Sequence, residues 1–101
     1  MKKFIEIIDL RAFEPDVAKI KSDIIASLKE NKPSEEFEEV AVLVGGDIPG
    51  SLAIVTVRNS LEKIEKSQLG LHFYEYLERL GMVSHTVFEI ADAYRYSKDI
   101  D

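Results

Sequence analysis

Two apolar, β-branched runs, Val40–Val44 and Leu52–Val57, flank a turn-rich stretch of Gly45, Gly46, Asp47, Ile48, Pro49, Gly50 and Ser51. Short runs of this kind between turn residues predict buried strands, and the pair predicts a hairpin with a long tip. Phe4–Leu10 is also apolar and β-rich, interrupted by Glu6 and Asp9, and reads as the first strand. Between these strands Val17, Ile20, Ile24 and Leu28 recur at spacings of three and four, with Ile25 alongside. That is one apolar stripe on an amphipathic helix. Pro15 suits a first helical turn, where its missing N–H costs nothing, and Asp16 complements the helix dipole there. Lys29, Asn31, Lys32 and Pro33 end the pattern, which places this helix at 15–30.

After the hairpin, Asn59 with Glu62 three positions on has the register of a capping box. A second helix is expected over 60–80, closed by Gly81 as a left-handed terminal residue. Its pattern is unusual. Leu61, Ile64 and Leu71 mark one side, while Leu69, Phe73, Tyr76, Leu77 and Leu80 mark another. At 100° per residue the two sides are turned by roughly 100–150°. Gly70 lies at the changeover and is a place for a kink. The apolar arc is wider than one sheet face needs. Either the helix packs on different neighbours along its length, or part of it, carrying Leu69, Phe73 and Tyr76, forms an interface.

The segment Met82–Ala91 decides between two folds. As a strand it completes the order strand–helix–strand–strand–helix–strand. That is the order of a ferredoxin-like split βαβ sandwich, an α+β fold with two helices on one face of a four-stranded antiparallel sheet. The expected strands are 4–10, 39–45, 52–58 and 82–90, with helices at 15–30 and 60–80, in a single domain over 1–101. The first and third strands are then central, which suits the unbroken apolar run of the third. The alternative is a βαββα chain with a helical C-terminus. Thr86 and Glu89 form a second capping-box pair, and Val87, Ile90, Ala91 and Tyr94 then share a helical face. In that reading 71–96 resembles a helix–turn–helix, with Gly81 at the turn, Thr86 and Val87 opening the second helix, and Tyr76, Leu80, Met82, Val87 and Ile90 at core positions. The resemblance implies DNA reading. Leu77 departs from the pattern, which has a small residue there. Glu89 and Asp92, with no basic residue in that helix before Arg95, give a surface that repels phosphate.

Charge changes the picture of partners. Lys and Arg number 13 against 19 Asp and Glu, for a net charge of −6. The acidity is spread over both halves, so it disfavours duplex nucleic acid and anionic membranes and suits a basic protein partner. The chain has no cysteine, which removes disulfides, thiolate nucleophiles and zinc–thiolate sites. The short apolar run at the N-terminus, interrupted by Glu6 and Asp9, reads as neither a signal peptide nor a membrane span, and a cytoplasmic location is expected.

Candidate chemistry is sparse. His72 and His85 are the two histidines, and no HxxxH or HExxH spacing accompanies them. No metal or cofactor is expected. The Gly45–Ser51 stretch has the glycines of a phosphate cradle but leads into a strand, without the helix N-terminus or lysine such a cradle needs. It reads as a hairpin tip, or as a binding loop carried by Gly45, Gly46, Asp47 and Ser51. Glu6 and Asp9 fall on opposite faces of a regular strand and do not form an acid–base pair. The acidic run Glu35, Glu36, Glu38 and Glu39 is a solvated linker or a docking patch. Tyr94, Arg95 and Tyr96 have hot-spot composition and join the candidate interface.

The expected function is a non-catalytic interaction or regulatory module, acidic and homodimeric, in the manner of a small inhibitor, immunity or anti-defence protein. Its partner is itself or another protein. The alternatives are a small-ligand-binding domain or minor enzyme of ferredoxin-like fold, with its site between sheet and helices or at the hairpin tip, and a nucleic-acid-binding protein acting through 71–96.

Overall fold

The computed structural model describes residues 2–13, 16–34, 36–61 and 65–94. Its elements are β1 (Lys2–Ala12), α1 (Val17–Glu30), β2 (Phe37–Val44), β3 (Ser51–Ser60), α2 (Gln68–Leu77) and β4 (Gly81–Glu89). The strands form one antiparallel sheet in the order β2-β3-β1-β4. This is the split βαβ order, with β1 and β3 in the middle. Strand alternation decides which side chains meet the helices. Phe4, Glu6, Ile8 and Leu10 of β1 point to the helical side, as do Leu52, Ile54, Thr56 and Arg58 of β3. Antiparallel pairing sets Ile8 against Ile54 and Leu10 against Leu52. Ile20 and Ile24 of α1 and Phe73 and Leu77 of α2 close over these four to make the core.

The Met82–Ala91 ambiguity resolves as a strand. β4 pairs with β1 from Ala12↔Gly81 to Phe4↔Glu89, and Ile90 N–H continues the ladder to Lys3 O at 2.9 Å. A helix here would leave the N–H and C=O row of β1 on that side without partners. The second helix of a helix–turn–helix is therefore absent from 81–89, and the DNA-reading geometry goes with it.

The second helix starts later than its sequence pattern suggests. β3 runs on to Ser60, because Asn59 and Ser60 pair with Lys3 and Lys2. Two residues of sheet ladder outcompete the local cap at Asn59. The observed cap is Ser67, whose Oγ accepts from Gly70 N–H at 2.9 Å. Gly81 is not a left-handed terminus either. It is the first residue of β4, and a Cβ there would strike the carbonyl of Arg11. Close approach, not backbone sign, makes glycine necessary at that position. The one positive φ in the described chain is Gly50, at +81°, in the hairpin tip. The expected cap residue Glu62 and the helix-opening Pro15 lie outside the described residues; α1 is capped by Asp16, which accepts from Lys19 N–H at 3.3 Å.

Candidate functional site

Three features of the surface and interior bear on function. The first is a buried polar cluster under α2. Glu6, on the central strand, is 1% exposed. Its Oε1 accepts from Ser67 Oγ at 2.6 Å and Thr56 Oγ1 at 3.4 Å. Its Oε2 accepts from Ser67 N–H at 3.1 Å and lies 2.5 Å from His85 Nε2. An ionised carboxylate only accepts, so His85 donates from Nε2. The Arg58 guanidinium stands 3.8 Å from Oε1, donates to Glu65 O at 2.9 Å and lies over the Phe37 ring. Tyr74 stacks on His85 with ring centroids 5.8 Å apart. Gly70 is the reason α2 can come this near, since a Cβ there would fall on the Glu6 carboxyl and against His85 Nε2.

The pairing of imidazole and carboxylate has the form of a proton-transfer dyad, but its Nε2 is spent on the carboxylate. The His85 side chain is 2% exposed. Among the described residues no buried side-chain polar atom lacks a partner. What the cluster does chemically is hold the N-terminus of α2 on the sheet: the cap residue Ser67 is bound twice by a carboxylate from the sheet's centre.

The second feature is a cleft between the helices. α1 covers β2 and β3, α2 covers β1 and β4, and a groove of about 530 Å³ opens between them toward the 31–37 segment. Leu28, Leu69 and Phe73 form its floor, and Asn31, Lys32, Gln68 and His72 its rim. A smaller pocket of about 240 Å³ shares Ser27, His72 and Phe73 with it and ends at Tyr76 and Asp23. The Tyr76 hydroxyl donates to Asp23 Oδ2 at 3.4 Å, bridging the helices there.

Burial first, then the Asp23 carboxylate and its hydrogen bond, push the Tyr76 phenol above the ordinary tyrosine range. A folded-state pKa raised in this way contributes stability below the unfolded value and loses it as pH rises through the folded value. In an alkaline absorbance titration, Tyr76→Phe should remove a phenol that ionises above the ordinary tyrosine value. A difference curve centred at or below that value would contradict the Tyr76–Asp23 bridge.

The third feature is the sheet face turned away from the helices. Ile5 and Ile7 of β1 stand beside Val57 and Val55 of β3 and beside Phe88 and Thr86 of β4. Ala41 and Leu43 of β2 extend the same face. Phe88 is 53% exposed, Leu43 51% and Met82 71%. Asp9 and Arg11 end the apolar field on β1, and both are exposed.

The residues singled out from sequence are dispersed. Phe73, an interface candidate, is 2% exposed in the core, and Leu69 and Tyr76 pack partly buried against it. Core burial accounts for their apolar character. Tyr94 is exposed and donates to Asp92, while Arg95 and Tyr96 lie outside the described residues. In the hairpin tip Gly45 N–H donates to Ser51 O, and Gly50 O accepts from Ala12 N–H at 2.9 Å. These bonds tie the tip to the end of β1, and Gly46 and Asp47 remain at the surface with no side chain converging on them among the described residues. Glu6 and Asp9 do point to opposite faces.

Sequence reasoning missed the polar cluster, although the signal was present. Alternation puts Glu6 in line with Phe4, Ile8 and Leu10, and His85 in line with Val83 and Val87. A charged residue on a core-facing row requires buried partners.

No family model and no curated protein matches this chain. Among solved structures, that of Rv0793 from Mycobacterium tuberculosis is similar in fold, with a TM-score of 0.60 and 15% sequence identity. The likeness covers 94% of this chain and 99% of that one. Similarity at this level of identity concerns the fold alone. In the described residues no helix is long and apolar enough to cross a membrane, and no group of three metal-ligating side chains occurs.

Proposed function

We propose that this chain is a non-catalytic interaction module that works as a homodimer, joined through the open face of its sheet. The observation that carries this reading is the apolar field of Ile5, Ile7, Val55, Val57, Leu43 and Phe88 on the side without helices. A sheet that faces water on one side ordinarily alternates apolar-in and polar-out. Here the outward rows of the two central strands carry Ile5, Ile7, Val55 and Val57 in their middle, so the fold provides one covering layer where this stretch of the sequence calls for two.

A second copy is the partner that fits. The apolar part of the surface is broad and twisted, which suits another sheet of the same twist packed about 10 Å away, and a hollow of about 490 Å³ lies at the Asp9, Arg11, Met82 and Ser84 end of the face. Four strands about 4.8 Å apart and nine residues long give a footprint of roughly 19 by 30 Å. With side-chain relief that approaches the roughly 800 Å² per partner of a standard interface. Asp9 and Arg11 sit two residues apart on this face of β1. An isologous interface has its two-fold axis through the centre of the shared patch, here beside Ile7 and Val55, which leaves Asp9 and Arg11 toward the rim.

Light scattering tests the proposal. The wild-type protein should have the mass of two 11.5 kDa chains. Val55→Lys, at the centre of the face, should give a folded monomer by circular dichroism, and Leu71→Lys, on the exposed side of α2, should leave the dimer intact. A monomeric wild type, or a dimer split by the helix variant and not by the sheet variant, refutes this arrangement.

A further inference from the structure

We infer that the free edge of β4 takes up an extended, basic segment of a partner protein as an added strand. The edge lies in the plane of the sheet, and a copy packed on the open face leaves it uncovered, so the inference does not rest on the dimer contact. β4 ends the strand order, and among the described residues no strand pairs with its outer side. The ladder fixes which of its backbone groups look outward. Ile90 N–H donates to Lys3 O, and Leu80 O accepts from Phe13 N–H, both at 2.9 Å. Antiparallel bonding alternates along a strand. Met82, Ser84, Thr86 and Phe88 therefore bond to β1, while Gly81, Val83, His85, Val87 and Glu89 turn their N–H and C=O outward. Burial agrees. The His85 side chain is 2% exposed, yet the residue as a whole is only half-buried, so its exposure lies in the backbone.

The two edges of the sheet are not alike. β2 is interrupted by a bulge between Phe37 and Glu39, a device that turns an edge away from further pairing. β4 keeps regular register through all nine residues, with neither proline nor lysine, and its one carboxylate, Glu89, stands at the end and pairs with Lys2. A regular edge of this length is a template for another strand. The flanking side chains select its chemistry. Gly70, Phe73 and Leu77 lie on the sheet, so at 100° per residue α2 turns Leu71, Tyr74 and Glu78 toward the β4 side. Its exposed Glu75 stands beside them. α2 and its lead-in carry Glu65, Glu75 and Glu78 against Lys66 and Arg79, and Asp92 follows the Lys2–Glu89 pair at the end of the edge. In sequence, residues 95–101 add two bases, Arg95 and Lys98, and two acids, Asp99 and Asp101. Acids outnumber bases around this edge, in a chain of net charge −6. On the open side Met82 and Phe88 are 71% and 53% exposed, with Ser84 and Thr86 between them. Opposed residues of antiparallel strands share a face. The added strand thus alternates. Its basic side chains lie on the helical side, with their stems along Leu71 and Tyr74 and their charges toward Glu75 and Glu78. Its apolar side chains lie on the open side with Met82 and Phe88.

The heptapeptide KVKVKVK, capped at both ends, is the probe. In nitrogen–proton correlation spectra of the wild-type protein it should give saturable shifts at 71–78 and 81–89, and the amides of Val83, His85 and Val87 should exchange more slowly once it is bound. The peptide residues opposite these three bond to β4 and place their side chains on the helical side, so they are the lysines. N-methylation of the lysine amides should weaken binding at least about tenfold, and N-methylation of the valine amides should leave it within about twofold. Glu75→Lys together with Glu78→Lys, both exposed on α2, should weaken KVKVKVK about fivefold or more and strengthen EVEVEVE. Shifts on β2 in place of β4, no saturable shift, or greater sensitivity to the valine amides than to the lysine amides overturns the proposal. Equal binding of the two peptides by the wild-type protein overturns the choice of a basic segment. Slow exchange of the Val83, His85 and Val87 amides in the free protein would mean that a second copy or this chain's own residues 95–101 already hold the edge, and that too overturns it. Light scattering reads the dimer separately, so failure of either proposal shows on its own.

Discussion

Replacing Glu6 by alanine should cost this protein about 3–5 kcal/mol, the loss expected when one partner of a buried charge pair is removed. A domain of 101 residues holds only roughly 5–15 kcal/mol in total. The magnitude follows from what the carboxylate leaves behind. Arg58, His85 Nε2–H, Ser67 N–H and the Ser67 and Thr56 hydroxyls all direct donors at Glu6. Arg58 keeps Glu65 O and the Phe37 ring, but the donors of His85 and of the Ser67 backbone lose their one acceptor. An unsatisfied buried donor costs about 1–3 kcal/mol. Glu6→Gln should be milder. A neutral imidazole can move its proton to Nδ1 and accept from the new amide at Nε2. Urea unfolding of the two variants should thus give the order alanine, then glutamine, in loss of stability. The damage in the alanine variant should begin at the N-terminus of α2, where Ser67 loses the group that fixes it, and amide exchange should quicken first at 67–71. A Glu6→Ala protein within about 1 kcal/mol of wild type would mean that packing of Phe73 and Leu77 alone seats the helix.

Much of this fold was legible in the sequence because its strands are patterned at period two and its first helix at period 3.6. β1, β3 and α1 fall within two residues of their expected positions at either end. The fourth strand was harder. Thr86 and Glu89 imitate a helix start, and the pairing of β4 with β1, between residues 69 to 85 positions apart, overrides that local preference. The start of α2 failed for the same reason. A cap at Asn59 is a local arrangement, while the ladder from Lys2 and Lys3 that holds Asn59 and Ser60 in β3 is not visible along the chain. Tertiary pairing outweighs a cap that contributes about 1 kcal/mol.

The candidate sites show a different limit. The Glu6–His85 cluster joins residues 79 positions apart, so spacing motifs never register it. Face assignment alone was available: once β1 is a strand with Phe4, Ile8 and Leu10 inward, Glu6 is inward too. The cleft is less legible still, because it arises from where two helices are not. α1 and α2 each cover a different pair of strands, and the gap between them depends on sheet twist and helix length, neither of which the residue pattern encodes. The open apolar face was partly legible, since Ile5 and Ile7 on β1 and Val55 and Val57 on β3 are apolar on the side opposite the core rows. Along the sequence the surplus of apolar residues is most conspicuous on the second helix, where the apolar arc is wide. The arc is wide because α2 is short and buries Gly70, Phe73 and Leu77 directly on the sheet, with Leu69 and Tyr76 along the cleft.

Phe73→Ala separates these two accounts of the second helix. As a core residue touching both helices' contact with Ile8, Ile24 and Ile54, it should cost about 3–5 kcal/mol on truncation, from lost burial plus the cavity left behind. Leu71→Ala, about 200° round the helix from Phe73 and 48% exposed, should change stability by no more than about 0.5 kcal/mol. If Phe73 worked chiefly at an interface, its cost would depend on protein concentration, because subunit association stabilises by mass action. In the core it does not. The loss should be the same at low and high concentration, and the same again when Phe73→Ala is placed in the Val55→Lys background. The two side chains lie on opposite sides of the sheet with no shared partner, so their effects should add to within about 0.5 kcal/mol. Concentration should matter for Val55→Lys instead: wild type should gain stability with concentration and that variant should not. A Phe73→Ala cost that vanishes in the Val55→Lys monomer would move the interface back to the helix and leave the open face of the sheet to another partner.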